Sequence, residues 1–175
     1  LTPLHNAAAN NHLSICQLIV ENISDANPKD INERTPLHYA AEKGHSEVCQ
    51  FILSNVKEKH PRDEFGDTPL HYAWEKGHTE ICRTIIEYAE DKNPVGESGV
   101  TPFHRAAGLG NLNICQLMIK NVSEEHPRDE YGHSPLHCAA LHDQLDAFKL
   151  IFKNVQDKSP STHYARTPLH IVADK

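Results

Sequence analysis

The tetrapeptide Thr35-Pro-Leu-His38 decides the fold of this chain, because it returns with a constant period of 33 residues. Identical copies start at Thr2, Thr68 and Thr167, while Thr-Pro-Phe-His starts at Thr101 and Ser-Pro-Leu-His at Ser134. A period that never shifts by a residue indicates one structural unit that is copied and stacked. We therefore predict a repeat array, an architecture that offers an extended binding surface. The tetrapeptide and its variants are called the box below.

The composition of the 175 residues fits a folded chain and argues against several classes of partner. Hydrophobic residues make up 38% and charged residues 23%, and the formal net charge is -7. An acidic chain lacks the positive charge that binds nucleic-acid phosphates or anionic membrane surfaces. No apolar run approaches the roughly 18 residues of a membrane helix. We expect neither a nucleic acid nor a membrane as partner, and we expect a monomer.

One repeat, residues 35–67, predicts a short helix, a turn, a longer helix and a protruding loop. Thr35 is a good N-cap, and Pro36 suits the first helical position. Gly44 suits the end of this first helix, and Pro61 cannot continue the second. The apolar positions of the second helix follow helical spacing: Val48, Cys49, Phe51, Ile52 and Val56. Neither helix can bury its apolar face alone, so the repeats must stack.

The period, the box and segments such as Tyr39-Ala-Ala-Glu-Lys-Gly-His45 resemble ankyrin repeats over essentially the whole chain. The resemblance implies an all-α solenoid of stacked helix-turn-helix units with protruding hairpin-like loops, in a single array over residues 1–175. Its repeats cover about residues 1–33, 34–66, 67–99, 100–132 and 133–165, with a partial sixth at 166–175. Neither end shows a polar capping repeat, so we expect a fragment of a longer array.

Two departures from the ankyrin pattern lead to further expectations. Ankyrin repeats commonly carry Gly just after the second helix, whereas this chain has Ile23, Val56, Ala89, Val122 and Val155 there. We expect second helices that run longer than usual, with this residue added to the core. The fifth repeat has Asp143-Gln144 in place of Gly-His. Its inter-helix turn is therefore the one that the pattern predicts least well.

The histidines and cysteines follow the repeat and indicate no metal site. Six of the fourteen histidines belong to the boxes, where the resemblance implies local bonds to the neighbouring Thr and the backbone. A ladder spaced by one repeat cannot converge on one ion. The equivalent cysteines Cys16, Cys49, Cys82 and Cys115 would lie about 8–10 Å apart, too far for a disulfide. We expect buried free thiols and hence an intracellular, cytoplasmic protein.

No motif points to catalysis or to a cofactor. Cys138 follows His137, but adjacent residues on a helix point about 100° apart, and no orienting acid is evident. A phosphate-cradling Gly-rich loop, a Gly-x-Ser-x-Gly elbow and a Cys-x-x-Cys pair are all missing from the sequence. We predict a non-enzyme with no catalytic residue, no bound metal and no cofactor.

The resemblance implies that a partner protein or peptide binds a concave face formed by the loop tips and the first helices. The tip positions are Ile31, Asn32, Arg34, Glu64, Phe65, Asp67, Glu97, Ser98, Val100, Glu130, Tyr131, His133, His163, Tyr164 and Arg166. The first-helix positions are Asn6, Ala9, Asn10, Tyr39, Glu42, Lys43, Tyr72, Glu75, Lys76, Arg105, Leu109, Cys138, Leu141 and His142. Aromatic residues and arginines among acidic ones suit a protein interface.

Two further features stand out against the repeat. The segment His60-Pro-Arg-Asp-Glu-Phe-Gly66 returns as His126-Pro-Arg-Asp-Glu-Tyr-Gly132 two repeats later, which places two aromatic tips roughly 20 Å apart. Such tips could engage an extended peptide at two points, and shared ancestry explains the pattern equally well. Trp74 replaces a small Ala of the first helix. It either packs between repeats or contacts the partner.

Two alternatives to protein binding remain open at this point. The chain could be an inner spacer of a longer array, since the first repeat has no aromatic or charged residue in its groove. It could also sense a small ligand such as a nucleotide, because Lys43, Lys76, Arg105 and Trp74 could combine cations with a stacking ring. The acidic tips oppose the second alternative.

Overall fold

The computed structural model describes residues 1–23, 25–122 and 127–173, and the chain divides into two compact bodies. The N-terminal body is Leu1–Asp91 and the C-terminal body is Lys92–Lys175. The N-terminal body contains α1 (Pro3–Ala9), α2 (Leu13–Asn22), α3 (Pro36–Lys43), α4 (Ser46–Asn55), α5 (Pro69–Glu75) and α6 (Thr79–Tyr88). The C-terminal body contains α7 (Pro102–Leu109), α8 (Leu112–Asn121), α9 (Pro135–Leu141), α10 (Leu145–Asn154) and α11 (Pro168–Ala173). The described ranges form no strand, so the predicted all-α class is confirmed.

Each box both starts its own helix and holds the loop that leads to the next repeat. In the second repeat, His38 Nδ1 accepts the Thr35 backbone N–H at 3.0 Å, so this nitrogen carries no proton. The proton therefore sits on Nε2, which donates to the Asp67 carbonyl at 3.2 Å. Three other boxes show the same pattern, at His5, His104 and His137. The predicted local bond is thus joined by a second bond, 29 residues away, that ties neighbouring repeats together.

The second helices end just before Ile23, Val56, Ala89, Val122 and Val155, so none of these five residues extends its helix. The residue after each helix has extended backbone and acts as its C-cap, as at Val56 with φ -102° and ψ 151°. Its side chain joins the core, as predicted, at Val56, Ala89 and Val155, but the prediction fails at Ile23, which is exposed, and at Val122, which is half-buried. Neighbouring side chains bind carbonyls at the end of α4: Asn55 donates to the Phe51 carbonyl, and Lys59 donates to the carbonyls of Leu53 and Val56.

The inter-helix turns share one backbone shape, even in the fifth repeat. Gly44 and Gly110 have φ of +84° and +71° at the ends of α3 and α7. Asp143 takes the same left-handed conformation with φ +56°, and Asn11 does so with φ +59°. Asp and Asn tolerate this conformation better than other non-Gly residues. The missing Gly in the fifth repeat therefore leaves the turn intact.

Both helices of each repeat contribute to the core. Leu37 and Ala41 of α3 and Ile52 and Leu53 of α4 are fully buried, and equivalent residues are buried in the C-terminal body. The first helices pack on one another in order, α1 on α3 and α3 on α5 in one body, and α7 on α9 in the other. Across the described ranges, every helix is too short or too polar to cross a membrane.

The left-handed tip positions allow a matched test of backbone strain. Gly132 has φ +79°, and a Cβ there would lie 2.8 Å from the His163 backbone nitrogen. Ala165 occupies the equivalent position of the next tip with φ +57°. Gly132→Ala should lower the free energy of unfolding by about 1–3 kcal/mol, whereas Ala165→Gly should raise it by about 1 kcal/mol. Urea unfolding followed by circular dichroism measures both changes. A destabilised Ala165→Gly variant would contradict the left-handed backbone conformation at Ala165.

Burial of the box histidine His38 predicts that the free energy of unfolding falls in acid. Burial lowers the pKa of His38 to about 4, despite the bond to the Asp67 carbonyl. The unfolded imidazole, with a pKa near 6.5, takes up a proton that the folded one refuses. Stability is therefore fully present above about pH 6.5 and falls as the pH drops toward 4, by up to about 3 kcal/mol for His38 alone. Urea titrations at several pH values measure this slope.

A matched pair of variants isolates the contribution of His38. His38→Gln should be less stable at pH 7 and should lose part of the acid dependence. His12→Gln, at an exposed turn position, removes an imidazole outside the boxes and should keep the dependence. An unchanged slope in His38→Gln would mean that other groups cause the acid lability.

Candidate protein-binding face

An aspartate that lies five residues before the box organises the backbone of three of the tips. Asp63 Oδ1 accepts the backbone N–H groups of Phe65 and Asp67 at 3.0 and 2.9 Å, and its Oδ2 accepts the Tyr72 hydroxyl at 2.6 Å. Asp30 makes the same set of bonds in the preceding tip. Asp129 uses Oδ1 in the same way in the C-terminal body. Each of these loops is held in one conformation by a single carboxylate.

In the N-terminal body, the face is a hydrogen-bonded cluster of charged and aromatic side chains. The Arg34 guanidinium lies between two tyrosine rings, 4.2 Å from the centroid of Tyr39 and 4.4 Å from that of Tyr72. Arg34 also forms an ion pair with Glu42, which lowers the pKa of that carboxyl although burial opposes the shift. Burial and the bond to Asp63 raise the pKa of Tyr72. This cluster joins tips and first helices into one ordered surface.

In the C-terminal body, the equivalent first-helix positions are occupied by Arg105 and Cys138 instead of tyrosine. Asp129 Oδ2 is bonded by His133 Nδ1 at 3.0 Å, from the same tip rather than from a helix. The His133 ring lies 6.0 Å from the Tyr131 ring and 5.8 Å from the His137 ring. Exposed Leu109 and Leu141 stand on the first helices, so this face is the more apolar of the two.

The predicted site residues fall into three groups by exposure. The exposed ones are Ile31, Asn32, Lys43, Glu64, Phe65, Glu75, Lys76, Glu97, Ser98, Glu130, Tyr131, Leu141, His142 and Tyr164. The half-buried ones are Arg34, Tyr39, Glu42, Tyr72, Arg105 and His133. Asp67 and Trp74 are buried, Trp74 completely. Of the two alternatives for Trp74, its burial fits packing between repeats, and its side chain offers no surface to a partner.

Four of the five cysteine side chains are buried, and that of Cys138 is half-buried. All five cysteines are free thiols, and burial raises the pKa of Cys49, Cys115 and Cys138 to about 12. In residues 1–23, 25–122 and 127–173, no three His, Cys, Asp or Glu side chains converge as metal ligands would. His126, which begins the second copy of the seven-residue motif, lies outside the described residues.

Sequence reasoning missed the residues that position the tips. Asp30, Asp63 and Asp129 lie five residues before their boxes, and this spacing was a signal available in the sequence. The arginine of the repeated motif also has a defined role: Arg62 and Arg128 each donate to the carbonyl of the tip glycine, at 2.8 Å. Periodicity revealed that these residues recur, but it did not reveal which atoms they bind.

Comparison with known proteins gives one family. The family model described as ankyrin repeats (3 copies) matches residues 4–96, 49–129 and 90–162, so the matches together extend over most of the chain. This finding confirms the family that the box and the period suggested. A search of curated proteins gives no match.

Proposed function

Because the chain belongs to the ankyrin repeat family, whose repeats are generally protein–protein interaction modules, we propose that it is a non-catalytic module that binds a partner protein through its tips and first helices. The observation that carries this proposal is the exposure of large apolar side chains on hydrogen-bonded loops. Ile31 is 93% exposed and Tyr164 79% exposed. A loop whose backbone is already held by hydrogen bonds loses little conformational entropy when a partner binds.

The chemistry of the two faces supports binding rather than catalysis. Four box histidines, His5, His38, His104 and His137, use both ring nitrogens in hydrogen bonds within the fold, which leaves them unsuited to act as bases. The thiols of Cys49 and Cys115 are completely buried and, with a pKa of about 12, stay protonated at neutral pH. Free thiols also support a reducing, intracellular location.

Nucleotide sensing draws little support from the same residues. Lys76 pairs with Glu75 at 2.8 Å, and Lys43 lies 3.8 Å from Glu42, so acidic neighbours offset these two cations. Trp74 is buried and offers no ring for a base to stack on. The remaining alternative is a structural spacer, which predicts that no face of the chain captures a partner.

A pair of charge variants separates the binding module from the spacer. Lys43→Glu with Leu109→Asp alters two exposed first-helix positions. Lys57→Glu with Leu145→Asp makes the same substitutions at exposed positions outside the tips and first helices. Proteins bound from source-cell extract are quantified by mass spectrometry, with circular dichroism as a check of folding. We expect the first variant to recover at least about tenfold less of the bound proteins, because buried charges oppose docking.

The control variant should recover the same proteins as the unaltered chain. Equal recovery of bound proteins by all three chains would contradict binding through this face, whereas the absence of any specifically bound protein from all three would favour the spacer.

A further inference from the structure

Phe65 and Tyr131 occupy the same position in two copies of one seven-residue motif, and they are exposed to the same extent, 56% and 57%. We propose that these two rings are preformed anchors that insert into apolar pockets, rimmed by basic residues, on a folded partner protein. The proposal rests on the proposed function and names the kind of partner. It also chooses between a folded partner and the extended peptide that the spacing of the tips left open.

The backbone of each motif tip has no amide N–H left for a peptide partner. In the first copy, the amides of residues 63 to 67 donate, in order, to the Asp67 carbonyl, the Asn32 carbonyl, Asp63 Oδ1, the Asp63 carbonyl and Asp63 Oδ1. In the second copy, the amides of residues 129 to 133 donate to the His133 carbonyl, the Ser98 carbonyl, Asp129 Oδ1, the Asp129 carbonyl and Asp129 Oδ1. An extended peptide binds a chain edge through main-chain hydrogen bonds, which need such donors. Recognition at these tips therefore depends on side chains.

Each ring also stands on a rigid base. The carboxylate of Asp63 or Asp129 holds the loop from inside, and the arginine of the motif holds the carbonyl of the following glycine. Gly66 and Gly132 have φ of +80° and +79°, a conformation that turns the chain sharply after the ring. A rigid aromatic side chain buries a large area on binding at a small entropic cost. This is the property expected of an anchor residue.

The surroundings of the rings define the pocket that would receive them. The ring projects from a protruding tip, so a surface that covers it must be concave. An exposed glutamate, Glu64 or Glu130, directly precedes each ring. Charge complementarity then places Lys or Arg side chains at the rim of the partner's pocket. A pocket that encloses a ring and presents charges around it requires folded structure on the partner.

Site-specific photocrosslinking tests which surface touches the partner. The full chain carries p-benzoylphenylalanine at position 65 or 131, or at the first-helix positions 43 or 109, and is irradiated in cells of its source. We expect crosslinks from 65 and 131 to fall on residues that line a concavity of a folded domain. Crosslinks from 43 or 109 alone would overturn this proposal and leave the proposed function standing. The absence of crosslinks from all four positions would overturn both.

Affinity measurements with the crosslinked partner, purified as an intact domain, test the chemistry of the anchor. Burial of an aromatic ring contributes about 1.5–3 kcal/mol, so Phe65→Ala and Tyr131→Ala should each raise Kd at least about tenfold. The conservative controls Phe65→Leu and Tyr131→Phe should stay within about threefold, and Glu64→Gln should slow association at low salt. Thermal unfolding confirms that each variant is folded.

Two results would overturn the proposal even if a partner binds. One is unchanged affinity in both alanine variants. The other is equal binding by a synthetic linear peptide that spans the crosslinked partner residues, because a linear peptide has no pocket.

Discussion

The box histidines His5, His38, His104 and His137 have their proton on Nε2, and the packing of repeat on repeat depends on that position. His38 Nδ1 must accept the Thr35 N–H that would otherwise stay unpaired at the helix start, so Nε2 must donate. The acceptor is the carbonyl just before the next box, so one side chain joins two successive repeats. Burial keeps the ring neutral, and neutrality keeps one nitrogen as an acceptor. A charged ring would lose the bond that starts the helix.

Hydrogen bonds within the fold also hold the tips. At the tip of residues 63–67, His38 of the preceding box holds the base of the loop, Asp63 holds its interior, and Arg62 holds its far end. The loops are therefore ordered although they are exposed and form no strand within the described residues. An ordered loop with an exposed ring is an arrangement that folding does not require. It is the reason for assigning the rings of Phe65 and Tyr131 to a partner.

The two bodies use one scaffold to present different chemistry. In the N-terminal body, Arg34 between two tyrosines makes a polar cluster, whereas in the C-terminal body Leu109 and Leu141 are exposed near the equivalent positions. The charges differ as well. Fifteen acidic and eight basic residues lie in residues 1–91, whereas nine of each lie in residues 92–175. A repeat scaffold permits this difference, because exposed positions contribute little to stacking.

The sequence by itself determined the helix pairs, their order and their turns, since the 33-residue period, the prolines and the glycines act locally. It also identified many of the exposed tip positions, because these are residues that the repeat leaves free to vary. Only the tertiary structure decided that Trp74 is buried, that the second helices end before Val56, and that Asp63 and Arg62 hold the tip. These outcomes depend on contacts between residues distant in the chain or on the competition of side chains for the same carbonyls. Local pattern carries no information about either.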